Sequence, residues 1–358
     1  MYLRTEDLPF VVVLISAYNE EKLIEKKLQS IFSQDYPKAK LQILVGSDCS
    51  SDSTDEIVQK LAQTHKQLTF LQGKERSGKP KMLNKLHAYC ASNFNSDHPI
   101  LILTDANVMF TKNTIYHLVK HFKDPSIHIV DANIINTEVS DQGIANSEST
   151  YIKREVELKY NEALIWQKIA GCFGGCFAMR MESFSEIPPN FIVDDFYLTM
   201  KVLEKGKAAI SEPEAKCHED LPVDIKEEFR RKKRISSGNF QNLSAFKHLT
   251  NPFKLTGFIL WSHKFIRYIG PFLLIASCLS AVALFFMGFE FMFWVCLAQL
   301  IWFVVIPLLD LLLKSINLKV GFFRNVRYFN LMNVALLLGY KNYFNGIKNN
   351  TWEPTKRA

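Results

Sequence analysis

The chain of 358 residues is long enough for one large domain or two ordinary ones. Its net charge of +7 comes with basic residues flanking apolar stretches, which suits an anionic membrane surface and gives no argument for a nucleic-acid partner. The seven cysteines show no CxxC spacing, and Cys172 and Cys176 lie in a glycine-rich segment without a histidine pattern, so reduced structural thiols are expected rather than a cysteine-based metal centre.

Residues 1–8, MYLRTEDL, are polar and charged, and no signal peptide is expected. Phe10–Ile15 is an apolar, β-branched run that predicts a strand, followed by SAYNE and a helical pattern at Leu23, Ile24, Leu28, Ile31 and Phe32. Leu41–Val45 predicts a second strand, running into GSDCSSDST before a helix through Ile57, Val58 and Leu61. Within that loop Asp52 or Ser53 is expected to cap the helix, which leaves Asp48 for another purpose. Leu68–Leu71 is the third strand, ending in GKERSGKP before a helix at Met82–Tyr89, and Ile100–Leu103 is the fourth, ending in TDAN. Strands alternating with helices imply an α/β fold with a doubly wound, mostly parallel sheet, whose ligands bind at the carboxyl ends of the strands.

Two nucleotide folds are disfavoured. No GxGxxG follows the first strand, and the P-loop-like Gly73–Pro80 follows the third strand and ends in Pro80 instead of the hydroxyl residue that holds Mg²⁺.

After Leu249 the composition changes. Asn251–Arg267 interleaves Phe, Leu, Ile and Trp with Lys254, Lys264 and Arg267, the pattern of an interface helix. Ile269–Met287 and Met292–Leu313 are apolar stretches of about 20 residues, the length that crosses a bilayer. Their basic flanks put residues 1–248 on the cytoplasmic side. Asp310 falls near the end of the second span, where the interface is within its reach and an interior polar role is the alternative. Residues 327–344 form a re-entrant or interfacial segment, or a third span, with the apolar stretch Phe329–Tyr340 too short to cross.

The strand ends and later motifs resemble the family 2 glycosyltransferases that join a cytoplasmic catalytic domain to membrane helices, among them poly-β-1,6-N-acetylglucosamine, hyaluronan and cellulose synthases. The resemblance runs through ISAYNEEKLIEKKLQSI, VGSDCSSDST, RSGKPKMLNK, TDANVMF, GCFGGCFAMR, VDDFYLTMKVLEKG, FRRKKRISSGNFQNL and WEPTKR. It implies a catalytic domain at 1–248 with a nucleotide-sugar fold of the glycosyltransferase A type, and a membrane region at 249–358.

It also implies roles. Asp105 and Asn107 match the DxD metal motif, with Asn in the second place, and would hold Mg²⁺ or Mn²⁺ against the diphosphate of a UDP-sugar. An amide oxygen binds such ions less strongly than a carboxylate, so Asp105 is the firmer ligand. Asp48 matches the aspartate that contacts uridine; Ala17, Tyr18 and Glu20 belong to the nucleotide loop; Arg76 and Lys79 bring positive charge to the phosphates. Asp194 and Asp195 match the ED-x-x-L motif with Asp195 as base, and adjacent, partly buried carboxylates raise each other's pKa as that task needs. Gly174 and Gly175, with Gly171, match the loop under the acceptor sugar. Arg231 and Arg234 occupy the place of Q-x-x-R-W. Arg234 keeps the diphosphate-facing arginine, and Arg231 and Ile235 replace the Gln and Trp of the processive signature. The cluster His218-Glu219-Asp220 is set aside as a metal site, because consecutive strand residues alternate faces.

The expected reaction is inverting transfer from a UDP-sugar to a glycan or lipid-linked acceptor. With only two spans, a homo-oligomer or an accessory membrane subunit is expected if a polymer is exported. A transferase adding one sugar to a polyprenyl-phosphate or glycolipid acceptor is the alternative, and a catalytically silent nucleotide-binding scaffold is the alternative from another class.

Overall fold

The structure is a computed structural model. It describes residues 7–94, 98–136, 145–219, 225–316, 318 and 320–347, so the WEPTKR motif, Asp220 and Lys348 lie outside the described residues.

Eight strands form one sheet in the order β3-β2-β1-β4-β7-β6-β8-β5. The four expected strands are β1 (Val11–Ala17), β2 (Leu41–Ser47), β3 (Leu68–Gln72) and β4 (Ile100–Thr104), all parallel. Each runs one or two residues further toward the site than its apolar run suggests. β1, β2 and β4 lie inside the sheet and are covered on both faces, so their sequences are continuous apolar runs; β3, at the edge, is only half-buried. Helices α1 (Ile24–Phe32), α2 (Thr54–Thr64) and α3 (Lys79–Asn93) complete this half.

The other half is mixed. β5 (Val108–Phe110), β6 (Ile127–Asn136), β7 (Cys176–Arg180) and β8 (Ala208–Glu219) pair β4/β7, β6/β7 and β5/β8 antiparallel and β6/β8 parallel. Only Asp105, Ala106 and Asn107 separate β4 from β5, yet β5 lies at the far end of the strand order. The second half of the sheet therefore curls back until β5 starts beside the end of β4, and the TDAN turn sits at that closure. Around it lie α4 (Thr114–Val119), α5 (Ala145–Trp166), α6 (Asp194–Glu204) and α7 (Ile225–Ala245).

The interface helix and first apolar span expected as two elements form one continuous helix, α8 (Leu255–Phe286), with a single π-helical stretch at Leu260–Phe265. Pro271 does not break it. Gly288, at φ 94°, turns the chain into α9 (Phe291–Ser315). These two helices are long and apolar enough to cross a membrane, and most of their side chains are exposed, unlike those of a soluble core helix.

The stretch expected at 327–344 lies within a longer helix, α10 (Gly321–Phe344), which packs along α7. Ser236 Oγ donates to Leu336 O and Ser237 Oγ to Gly339 O, each at 3.0 Å. A Cβ on Gly339 would stand 2.4 Å from Ser236 Cβ, so glycine is what permits this approach. Asp310 is not directed outward to an interface; it is buried and ion-paired with Arg327 of α10.

Candidate active site

The loops after β1 and β2 form one wall. Asn19 adopts φ 53°, a left-handed conformation that asparagine tolerates, and this aims its amide at the opposite loop. Its Oδ1 accepts from Ser51 N at 2.8 Å, its own N–H donates to Ser50 Oγ at 3.2 Å, and Glu20 N donates to Thr54 Oγ1 at 2.8 Å. Glu20 is buried, and its carbonyl receives the N–H groups of Leu23 and Ile24 at the start of α1. Ala17 O accepts from Asp48 N at 2.9 Å. Of the two expected caps, Asp52 is the one that acts, accepting from Thr54 N at 3.0 Å; Ser53 makes no side-chain capping bond.

Asp48 is buried, and both carboxylate oxygens are used. Oδ1 accepts from Ser77 N at 2.7 Å and Oδ2 from Gly78 N at 2.9 Å, so Asp48 fixes the entry to α3 from the neighbouring strand end. The guanidinium of Arg76 stacks over the Tyr18 ring at 3.4 Å, with its Nε 3.7 Å from Asp48. Gly78, at φ 83°, precedes Lys79, the first residue of α3. Lys79 Nζ lies 2.8 Å from Asp105 and 3.3 Å from Asp194, instead of standing free over a phosphate cradle as a P-loop lysine does. Burial works against the Lys79 charge, but these carboxylates outweigh it and hold its pKa above the ordinary lysine value.

Asp105 is the carboxylate the cleft presents, its side chain 36% exposed, and its N–H donates to Gly175 O at 3.0 Å. Thr104 Oγ1 donates to the same carbonyl at 2.9 Å and receives Lys27 Nζ at 2.8 Å. Lys27 also donates to Val108 O, so one fully buried lysine ties both ends of the TDAN turn. Burial lowers its pKa to about 8. Nothing in the sequence marks it, because it occupies an ordinary helical position on α1. Asn107 is buried and its Nδ2 donates to Glu219 Oε1 at 2.8 Å, which brings one member of the set-aside His-Glu-Asp cluster to the motif after all.

Asp194 and Asp195 open α6, where the helix dipole favours negative charge. Burial first, and then the adjacent Asp194 charge, push the Asp195 pKa up to about 6, against the pull of Lys79. A Cβ on Gly174 would stand 3.1 Å from Asp195 Oδ2, so Gly174 lets the glycine-bearing loop pass directly over this carboxylate. The loop itself is held from the interior: Ala170 N donates to Glu162, Cys172 N to Thr199 Oγ1, both at 3.2 Å, and Phe173 N to Asp131 at 2.8 Å. Asp131 pairs with the buried Lys159 at 2.8 Å. Glu162 and Glu155 flank His263 of α8, each 2.8 Å from a ring nitrogen.

The structure brings the remaining arginines to different surroundings. Arg234 is exposed to the cleft and within electrostatic reach of Asp105, Asp194 and Asp195. Arg231, expected to meet the acceptor, is forked onto the buried Glu228, with Nε at 2.9 Å and Nη2 at 3.3 Å.

Among the described residues, no three or more His, Cys, Asp or Glu side chains are grouped to hold a metal. One carboxylate at Asp105 and one amide oxygen at Asn107 fit a hard divalent cation whose other ligands are diphosphate oxygens and water.

The fold, with its sheet closed over a DxD-like turn, is the α/β architecture of the glycosyltransferase A type. It matches the structure of mannosyltransferase PcManGT from Pyrobaculum calidifontis, solved with GDP-Man and Mn²⁺, with a TM-score of 0.67 and 22% identity over 95% of this chain and 88% of that one. Residues 12–188 match the family model Glycosyl transferase family 2. The probable glycosyltransferase YdaM of Bacillus subtilis is 26% identical over 70% of this chain and 59% of its own length. A beta-monoglucosyldiacylglycerol synthase of Trichormus variabilis is 23% identical over 48% of this chain and 34% of its own. The chain thus spans well under two thirds of these relatives.

Proposed function

We propose that the chain transfers a sugar from a UDP-sugar to a hydroxyl of a glycan or lipid-linked acceptor, with inversion, at the cytoplasmic face of a membrane that α8 and α9 cross. The observation that carries this reading is the Asp195 carboxylate, held at a pKa of about 6 under the acceptor loop and linked through Asp194 and Lys79 to Asp105. A base at that pKa is ionised at neutral pH and still able to take a proton.

In this mechanism the acceptor oxygen attacks the anomeric carbon in line with the departing diphosphate, and the C–O bond to phosphate breaks as the new bond forms. The electron pair leaves with the diphosphate, and the hydroxyl proton passes to Asp195. Asp48 and the Arg76–Tyr18 stack form the nucleoside end of the cleft. Lys79 and Arg234 meet the growing negative charge. Asp105 and Asn107 would hold Mg²⁺ or Mn²⁺, which when bound would supply Lewis-acid stabilisation of that charge. A screen of UDP- and GDP-sugar hydrolysis with each metal tests the donor: turnover with guanine donors alone would overturn UDP, and a wild-type rate in Asp195→Asn would overturn the base.

The engagement of Arg231 with Glu228, together with Ile235 in place of tryptophan, favours a second reading of the product. Without a free acceptor-channel pair, the enzyme adds one sugar to a polyprenyl-phosphate or glycolipid acceptor. A ladder of product lengths would sink this reading, and a single added sugar would sink the polymerase.

A further inference from the structure

Asn107 immediately precedes β5, whose first residue, Val108, stands opposite Glu219 in the antiparallel pair with β8. The 2.8 Å bond from Asn107 Nδ2 to Glu219 Oε1 has a strict polarity. A carboxylate only accepts, so the edge of the amide that faces it must be the NH₂; a reversed amide would set oxygen against oxygen. Asn107 Oδ1 is thereby turned away from Glu219, and among the described residues no protein donor takes it. An aspartate at 107 would instead face Glu219 with two carboxylates at hydrogen-bond distance, which cannot both stay ionised without cost. As it stands, the pair presents an oxygen ligand backed by one negative charge.

We propose that Glu219 is a positioning residue of the metal site, fixing the Asn107 amide with its oxygen toward the cation and supplying the charge that a second aspartate would bring to the motif. This rests on the reading of Asp105 and Asn107 as the metal-facing pair. Glu219 touches neither substrate nor metal. It acts as the carboxylate behind a metal-bound histidine does, orienting a neutral ligand and raising its basicity. The other end of the turn is held independently by Lys27.

The test measures Mn²⁺ affinity of the full-length protein in detergent by titration calorimetry, in the presence of UDP or GDP, whichever binds. Nucleotide affinity is measured separately in EDTA. Glu219→Gln is expected to weaken Mn²⁺ binding about 10- to 100-fold, while metal-free nucleotide affinity stays within about twofold. Asn107→Asp alone also loses Mn²⁺ affinity. The double variant Asn107→Asp/Glu219→Gln, which restores one charge and one donor across the contact, returns to within about threefold of wild type by the logic of a coupled pair.

Metal-free nucleotide binding also reports that a variant is folded. If Glu219→Gln fails that check, Glu219→Asp, which keeps the charge but shortens the reach, carries the same comparison. A wild-type protein whose nucleotide binding ignores Mn²⁺ would overturn the metal reading and this inference together. Metal-dependent binding in the wild type with Glu219→Gln unchanged, or additive losses in the double variant, would overturn the inference alone.

Discussion

The two walls of the cleft are built by different physics. The proposed donor wall comes from the carboxyl ends of β1, β2 and β4, and its loops are laced by Asn19, Ser50, Ser51, Thr54 and the N–H groups that Asp48 gathers. The proposed acceptor wall is a glycine-bearing loop hung from the interior pair of Asp131 with Lys159, and from Glu162, which His263 holds. Losing a bond at the donor wall leaves a donor or acceptor unpaired but strands no isolated ion deep in the core. Losing one behind the acceptor wall strands an ion in the core, where it is far more costly. Substitutions on the donor side should therefore change binding in a folded protein, and substitutions behind the acceptor loop should change whether it folds.

Asp195→Asn is expected to show the largest effect, a loss of transfer of about 10²- to 10⁴-fold at unchanged donor affinity, read from initial rates. The same variant should melt at a higher temperature at pH 7. The folded pKa of Asp195, about 6, lies above the unfolded carboxylate value near 3.9, so its favourable contribution exists below about pH 4 and is lost as pH rises through about 6. Removing the ionised group then relieves the folded state by about 2–3 kcal/mol.

Lys159→Met should destabilise the protein by about 3–5 kcal/mol in denaturant titrations, because it leaves Asp131 buried without its cation; Asp131→Asn/Lys159→Met should recover much of that loss. If Lys159→Met melts like wild type, the contrast between the walls fails. Asp48→Asn should weaken nucleotide binding by about 1–3 kcal/mol with little change in melting temperature, since a neutral amide accepts poorly from two N–H groups at once. The smallest effect is on the pH profile. In the wild type kcat/KM should fall below about pH 6, and Asp194→Asn should move that limb to lower pH by removing the neighbouring charge that holds Asp195 up.

The donor half was legible because β1, β2 and β4 are buried on both faces and therefore read as unbroken apolar runs, and because each ends in a polar loop. The second half was harder to read. α5 turns Glu155, Lys159 and Glu162 inward, so its core face carries charge where a helical pattern is normally apolar. β6, β7 and β8 mix parallel and antiparallel pairs, which no short-range signal records. Composition shifts near Ile269 although the backbone of α8 does not, so the sequence reads as two elements where the molecule has one. Alternation of faces along a strand excludes a three-residue cluster at 218–220 but not one member of it facing Asn107. Lys27 and Glu228 carry no pattern at all; their meaning comes from what folding brings beside them.

His263 and Arg267 belong to α8, yet their partners Glu155 and Glu162 lie deep in the catalytic part. A fragment ending at Leu249 would keep every motif of the cleft and lose the partners that hold those two glutamates, His263 on both and Arg267 on Glu155. The border in composition is thus not a border in folding. The apolar helix α8 also completes the shelf under the glycine-bearing loop, so a version without α8 and α9 would have to replace that pair of glutamates as well.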